Sequence, residues 1–293
     1  MSGLTKAAVL GAGTMGHGIA QVLAMAGVEV TLCDLEQAQL DHAQDAIERN
    51  LAGAVARGKL DEDGKGAALS RVILSTDRPH ALAQVELVIE AIPELMELKK
   101  QVLAEASREA PVAKLVATNT SSLSVTEIAQ ATDRPERVVG LHFFNPVHVQ
   151  KLVEVVRGER TTEAALTLSL ELVAQIGKQA VVVHDSPGFA SSRLGLVLGL
   201  EAIRMVEQGV ASAADVDKAM ELGYRHPMGP LMTTDYVGLD VRLAIAEHLH
   251  REVGEAFRPP QLLRRLVRAG KHGRKAGEGF YRWDDDGKCL GPA

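Results

Sequence analysis

At 293 residues the chain is long for one hydrophobic core and comfortable for two domains. Its 46% hydrophobic and 24% charged residues predict a folded, soluble protein, while 3% aromatics and a net charge of −6 argue against base-stacking platforms and a polyanion-binding surface. Two cysteines, Cys33 and Cys289, stand at opposite ends without a CxxC pair, so no disulfide framework is implied and a reducing cytoplasm is expected.

The opening "MSGLTKAAVLGAG" reads poorly as a signal peptide, and no apolar run is long enough to span a bilayer. "KAAVL" predicts a first strand, "GHGIAQVLAMAG" a helix ending at Gly27, and "VEVTLCD" a second strand. The turn between the first strand and the helix carries Gly11, Gly13 and Gly16 around Thr14 and Met15. Gly11 suits a tight turn, Gly13 lets a pyrophosphate approach the backbone, and Gly16 lets helix and strand pack closely. Free amides at the helix start then face the anion. Asp34, 23 positions after Gly11, is placed to hold ribose hydroxyls. Leu35, Glu36 and Gln37 follow it with no arginine, which favours NAD over NADP.

Residues 36–70 read as a charged helical pair broken at "RGKLDEDG". Arg49, Arg57 and Lys59 lie there; on their own, Arg57 and Lys59 read as charges that complement a helix C-terminus. Strand-like runs follow: "RVILST", "VELVIEAI", "KLVATNT", "RVVGLHFF", "KLVEVV" and "QAVVVHD", with helical segments between many of them. Strands alternating with helices predict an α/β domain built on a mainly parallel sheet. "TNTSSL" and "GLHFFNP" end two of these strands, where substrates bind in such folds. His142 is either a structural histidine or a base able to take a proton from an alcohol. Glu154 is either a surface residue on an edge strand or the partner that orients the imidazole and favours its charged form. Ser121 either caps the next helix or holds a substrate oxygen. Glu94 and Lys99, five apart, read on their own as the exposed face of a helix.

From "SPGF" onward the pattern turns helical: "SSRLGLVLGLEAIRMVEQG", "SAADVDKAMELG", "GPLMTTDYVGLDVRLAIAEHLHREVG" and "PPQLLRRLVRAGKHG". Ser212 and Asp215 mark the start of the second of these. The expected boundary falls at 185, giving domains 1–185 and 186–293. Cys33 is expected in the core, and no histidine cluster has metal-ligand spacing.

The ordered set "GAGTMG", "EAIPELMELKK", "TNTSSL", "GLHFFNP", "KLVEVV", "DSPGF", "HPMGP" and "GRKAGEGFY" resembles the 3-hydroxyacyl-CoA dehydrogenases, most closely the short bacterial 3-hydroxybutyryl-CoA type, over almost the whole chain. The resemblance implies a Rossmann-like NAD-binding domain, an all-α C-terminal domain that forms a homodimer, and reversible oxidation of an L-3-hydroxyacyl-CoA to the 3-ketoacyl-CoA. It implies His142 as catalytic base, Glu154 as its partner and Ser121 as a substrate contact. Asn119, Asn145, Glu94 and Lys99 fall on family positions around cofactor and substrate. A CoA substrate gives Arg57 and Lys59 phosphates to bind. One departure stands out: where the family pattern reads "PGFxxNR", this chain reads "PGFASSR", with Ser192 in the asparagine's place. A serine cannot reproduce both amide contacts; it either caps the following helix or touches substrate. Two rival functions are a dehydrogenase of a hydroxy acid or sugar acid without CoA, and a non-catalytic NAD-binding protein. Neither a nucleic-acid partner nor a membrane is expected.

Overall fold

Lys6–Leu10 (β1), Glu29–Cys33 (β2), Val72–Ser75 (β3), Leu87–Glu90 (β4), Leu115–Thr118 (β5), Val138–Phe143 (β6), Leu152–Arg157 (β7) and Gln179–His184 (β8) pair into one sheet of order β3-β2-β1-β4-β5-β6-β7-β8. This computed structural model describes residues 3–293. The chain divides into two compact units, Met1–Phe189 and Ala190–Ala293.

Strands β4, β5 and β6 are buried along their whole length, which is why they read as unbroken apolar runs and not as alternating ones. Helices cover both faces. Ala7 and Val9 of β1 join residues of α1 (Thr14–Met25), α2 (Gln37–Ala56) and α7 (Glu163–Gln175) in one cluster. Ala8 and Leu10 join those of α4 (Arg78–Leu82), α5 (Met96–Glu109) and α6 (Val125–Gln130) in another. A short α3 (Glu62–Ser70) completes the helical pair after β2. Two features of the sheet position a site. The chain leaves β1 between β2 on one side and β4 on the other, the crevice where open α/β sheets bind nucleotides. The sheet is parallel except that β7 runs antiparallel to β6, so residues either side of the 144–151 connection face each other.

The second unit packs α8 (Ser191–Glu207), α9 (Ala213–Tyr224), α10 (Pro230–Val237), α11 (Leu239–Glu252) and α12 (Gln261–Arg268) around Leu196, Leu200, Ile203, Leu249 and Leu263. Two details differ from the expected all-helical pattern. The segment 229–254, read as one helix, breaks at Gly238, whose φ of +101° no helix accommodates. The tail adds an antiparallel hairpin, β9 (Tyr281–Trp283) and β10 (Cys289–Pro292), across an Asp-Gly turn at 286–287. Asp235 anchors it: buried, it accepts hydrogen bonds from Phe280 N, Tyr281 N and Trp283 Nε1, each at 2.9 Å. Asp217 accepts from Leu231 N, Met232 N and the Tyr281 hydroxyl. Burial pushes the carboxyl of each above its usual range.

Candidate active site

The β6–β7 register sets His142 directly opposite Glu154. Directly paired residues on antiparallel strands project to the same face. Their side chains meet there, Nδ1 to Oε2, at 2.8 Å, with His142 7% exposed and Glu154 1%. A carboxylate only accepts, so Nδ1 donates to it and the neutral ring keeps its lone pair on Nε2. Phe144 and Phe189 flank the imidazole, with ring centres 4.4 and 6.0 Å away. A buried imidazole backed by a carboxylate can accept a proton at Nε2 and return it. The surface-strand alternative for Glu154 is thereby removed: β7 lies inside the sheet, between β6 and β8.

Beside this pair the ends of β4 and β5 carry a polar chain. Asn119 accepts Phe143 N at its Oδ1, 2.9 Å, and so ties the end of β5 to the end of β6. Ser121 gives both its amide and its hydroxyl to Glu94 Oε1, at 2.8 and 3.2 Å, and Thr120 adds its hydroxyl at 2.6 Å. Lys99 reaches Glu94 Oε2 at 3.2 Å, Glu90 Oε1 at 2.6 Å and the Ile92 carbonyl at 3.3 Å. Burial works against charge on Glu94, but Lys99 and the hydroxyl and amide donors outweigh it and hold its carboxyl below the usual range. The exposed-helix reading of Glu94 and Lys99 fails. Glu94 lies in the turn before α5, and Lys99 is 1% exposed with all three of its donors spent inside the protein. Lys99 therefore stands as a support for Glu94. Sequence reasoning missed Glu90, fully buried, with Ile92 N on Oε1 and the Thr118 hydroxyl on Oε2. The signal was available: a carboxylate closing the wholly buried run "LVIE".

The helix-cap alternatives also resolve. Ser124, not Ser121, caps α6 by accepting Glu127 N. Ser192 is the second residue of α8, whose N-cap is Ala190 without a side-chain cap bond. Asn145 precedes Pro146 in the turn that leaves β6.

At the other end of the crevice the glycine loop fits a nucleotide. Gly11 has φ +97° and abuts the Ala91 carbonyl; a side chain on Gly16 would run into the Gly11 carbonyl; one on Gly13 would meet nothing within 4 Å. Two glycines are thus forced by the turn, and the third leaves open the space a pyrophosphate needs. The first turn of α1 has neither a side-chain cap nor an acid, so its amides are left for an anion. Thr14, Met15 and Asp34 line the same cavity of about 600 Å³. Asp34 fastens the loop through Ala12 N at 2.7 Å. The residues present fit a dinucleotide. Cys33 is core: burial pushes its thiol up to about 11.

Arg57 and Lys59 line a separate cleft of about 550 Å³ together with Lys151, Lys178, His148 and Asn50, and no carboxylate lines it. Burial, then Arg57, His17 and Lys178, push the His148 imidazole down; burial lowers Lys178 as well. The cleft gathers cationic side chains on an otherwise acidic protein. Among the described residues no group of three or more His, Cys, Asp or Glu is arranged to hold a metal, and no helix is long and apolar enough to cross a membrane.

Residues 6–186 match the family described as 3-hydroxyacyl-CoA dehydrogenase, NAD binding domain, and residues 188–283 its C-terminal domain. A 3-hydroxybutyryl-CoA dehydrogenase of Mycobacterium tuberculosis is 44% identical over 284 residues, covering 96% of this chain and 99% of the relative. One from Clostridioides difficile is 42% identical over 280 residues, covering 95% and 99%. The crystal structure of an (S)-3-hydroxybutyryl-CoA dehydrogenase from Ralstonia eutropha superposes with a TM-score of 0.93 at 37% identity, covering 96% of this chain and all of the other.

Proposed function

The chain belongs to the 3-hydroxyacyl-CoA dehydrogenase family, NAD-dependent oxidoreductases, and on that premise we propose that it interconverts a short L-3-hydroxyacyl-CoA, of the 3-hydroxybutyryl-CoA class, with its 3-ketoacyl-CoA. The buried His142–Glu154 pair is the observation that carries this reading. In the oxidative direction His142 Nε2 removes the hydroxyl proton; in reverse it delivers one to the carbonyl oxygen. Glu154 stabilises the imidazolium through Nδ1. The nicotinamide, when bound, supplies the hydride acceptor. Ser121 and Asn145 orient the substrate oxygen, Ser121 being itself held by Glu94 and, behind it, Lys99. Asn119 and the glycine loop hold the cofactor, and Asp34 selects NAD because a 2′-phosphate would meet its charge. Arg57 and Lys59 receive the phosphates of CoA. Ser192 takes up a substrate contact that the family's asparagine makes, and the helical unit carries a homodimer contact.

The test is a spectrophotometric NADH assay with acetoacetyl-CoA and longer 3-ketoacyl-CoAs, run beside free hydroxy acids. His142→Gln lowers turnover by roughly 10²–10⁴-fold, the usual worth of a positioned acid–base group, while NADH binding persists. Glu154→Gln acts in the same direction. Near-normal turnover of the His142 variant would overturn the mechanism, and preference for a free hydroxy acid would overturn the substrate class.

A further inference from the structure

The preference for NAD read from the sequence rests on the charge of Asp34 and on the lack of an arginine directly after it. The cavity nevertheless holds one, delivered by the neighbouring strand. Cys33 at the end of β2 pairs with Ser75 at the end of β3, and Asp34 N donates to the Ser75 carbonyl at 3.3 Å. Three residues on, Arg78 opens α4 and lines the same cavity as Gly11, Gly13, Asp34, Leu35 and Gln39. An arginine beside the ribose-binding acid is what NADP-binding sites use for the 2′-phosphate. Here that arginine is already occupied. Its Nε and Nη2 form a fork on the two oxygens of Glu109, at 2.8 and 3.0 Å, and Nη2 also reaches Glu105 Oε2 at 2.7 Å. Glu105 and Glu109 are four apart on α5, so one helix face presents both.

We infer that Glu105 and Glu109 determine nucleotide specificity by holding Arg78 in a doubly paired state, so that the cavity rejects a 2′-phosphorylated nucleotide. Counting Asp34, one guanidinium is set among three carboxylates, a net of two negative charges. A two-pronged Arg–carboxylate pair fixes geometry as well as charge, and here it takes the Nε–Nη2 edge of the guanidinium, one of the edges with which an arginine forks onto a phosphate. All three partners are only about a quarter exposed, so the guanidinium does not swing freely to solvent. The inference rests on the NAD reading of Asp34 and adds the residues that keep a second, opposing determinant silent.

Equilibrium binding tests it without turnover. Calorimetry on the full chain compares ADP-ribose with 2′-phospho-ADP-ribose. The unmodified protein favours ADP-ribose. Glu105→Gln/Glu109→Gln shifts the affinity ratio about tenfold or more toward the phosphorylated ligand, the scale of one charge-assisted hydrogen bond. Adding Arg78→Met to that background removes the shift. A folded double variant, by circular dichroism, whose ratio does not move overturns the inference, as does a shift that survives Arg78→Met. Glu109→Gln alone must move the ratio in the same direction, which keeps the test decisive if the double variant does not fold. Equal affinity of the unmodified protein for both ligands overturns the NAD reading itself; a preserved preference with an unmoved variant overturns only the role of the two glutamates.

Discussion

The ammonium of Lys99 is buried against one carboxylate that is fully buried and another at the lip of the site, so its removal is far costlier than loss of a surface pair. Lys99→Met leaves Glu90 charged in the interior without a counterion. We expect a loss of roughly 3–5 kcal/mol of stability, read from denaturant midpoints, and partial recovery when Glu90→Gln is added. No destabilisation would mean that water reaches the pair. Residues of this kind are poorly legible in sequence because Lys and Glu five apart look like solvated helix charges until the preceding turn is known to fold back. His142 and Glu154 were legible as a pair only beside the readings of each as structural or surface; what brings them together is the turn that runs β7 antiparallel to β6. Ser192 is the opposite case, visible at once as a departure from a pattern. Ala190 occupies the cap position of α8, so Ser192→Ala should leave thermal stability near that of the parent while lowering kcat/KM, and Ser192→Asn should maintain or raise it. A variant that loses stability and keeps its kinetics would return the residue to a structural role.

Elements fared better than contacts. The strand, glycine loop, helix, strand and acid of residues 6–34 follow the pattern because each piece has its own local cause: β-rich apolar runs, a turn that only glycine enters, a period of 3.6. Two things were hidden. Gly238 interrupts a helical periodicity that continues on both sides of it, so spacing alone cannot show the break. The hairpin at 281–292 consists of two short strands whose stability comes from a distant aspartate. The helical pair after β2 matters at this scale too, because the C-terminal end of α2 brings Arg57 to the acid-free cleft. Arg57→Ala with Lys59→Ala should raise KM for the CoA thioester several-fold, the effect of losing one or two charge-assisted contacts, and leave KM for NADH alone. An unchanged thioester KM would reduce both residues to helix-end charges.

For the molecule as a whole, the helical unit exposes Leu194, Val210, Leu222 and Tyr224, each more than half accessible. Light scattering at micromolar concentration should report a homodimer, and substitution of Leu222 and Tyr224 by Asp should weaken it if those residues lie in the contact. A monomeric parent protein would remove the dimer from the proposal.

The clamp on Asp235 bears on how the chain is made. Its three donors lie 45 to 48 residues further along, and Asp217 waits 64 residues for the Tyr281 hydroxyl. Synthesis runs from the N-terminus, and domains fold as units in that order. The sheet with its His142–Glu154 pair is therefore complete in covalent terms while α10 still carries Asp235 without its three hairpin donors and α9 carries Asp217 without the Tyr281 hydroxyl. Asp235 therefore keeps its water until residues 280–283 have left the ribosome, and the second unit cannot finish burying that carboxylate before its final hairpin is made.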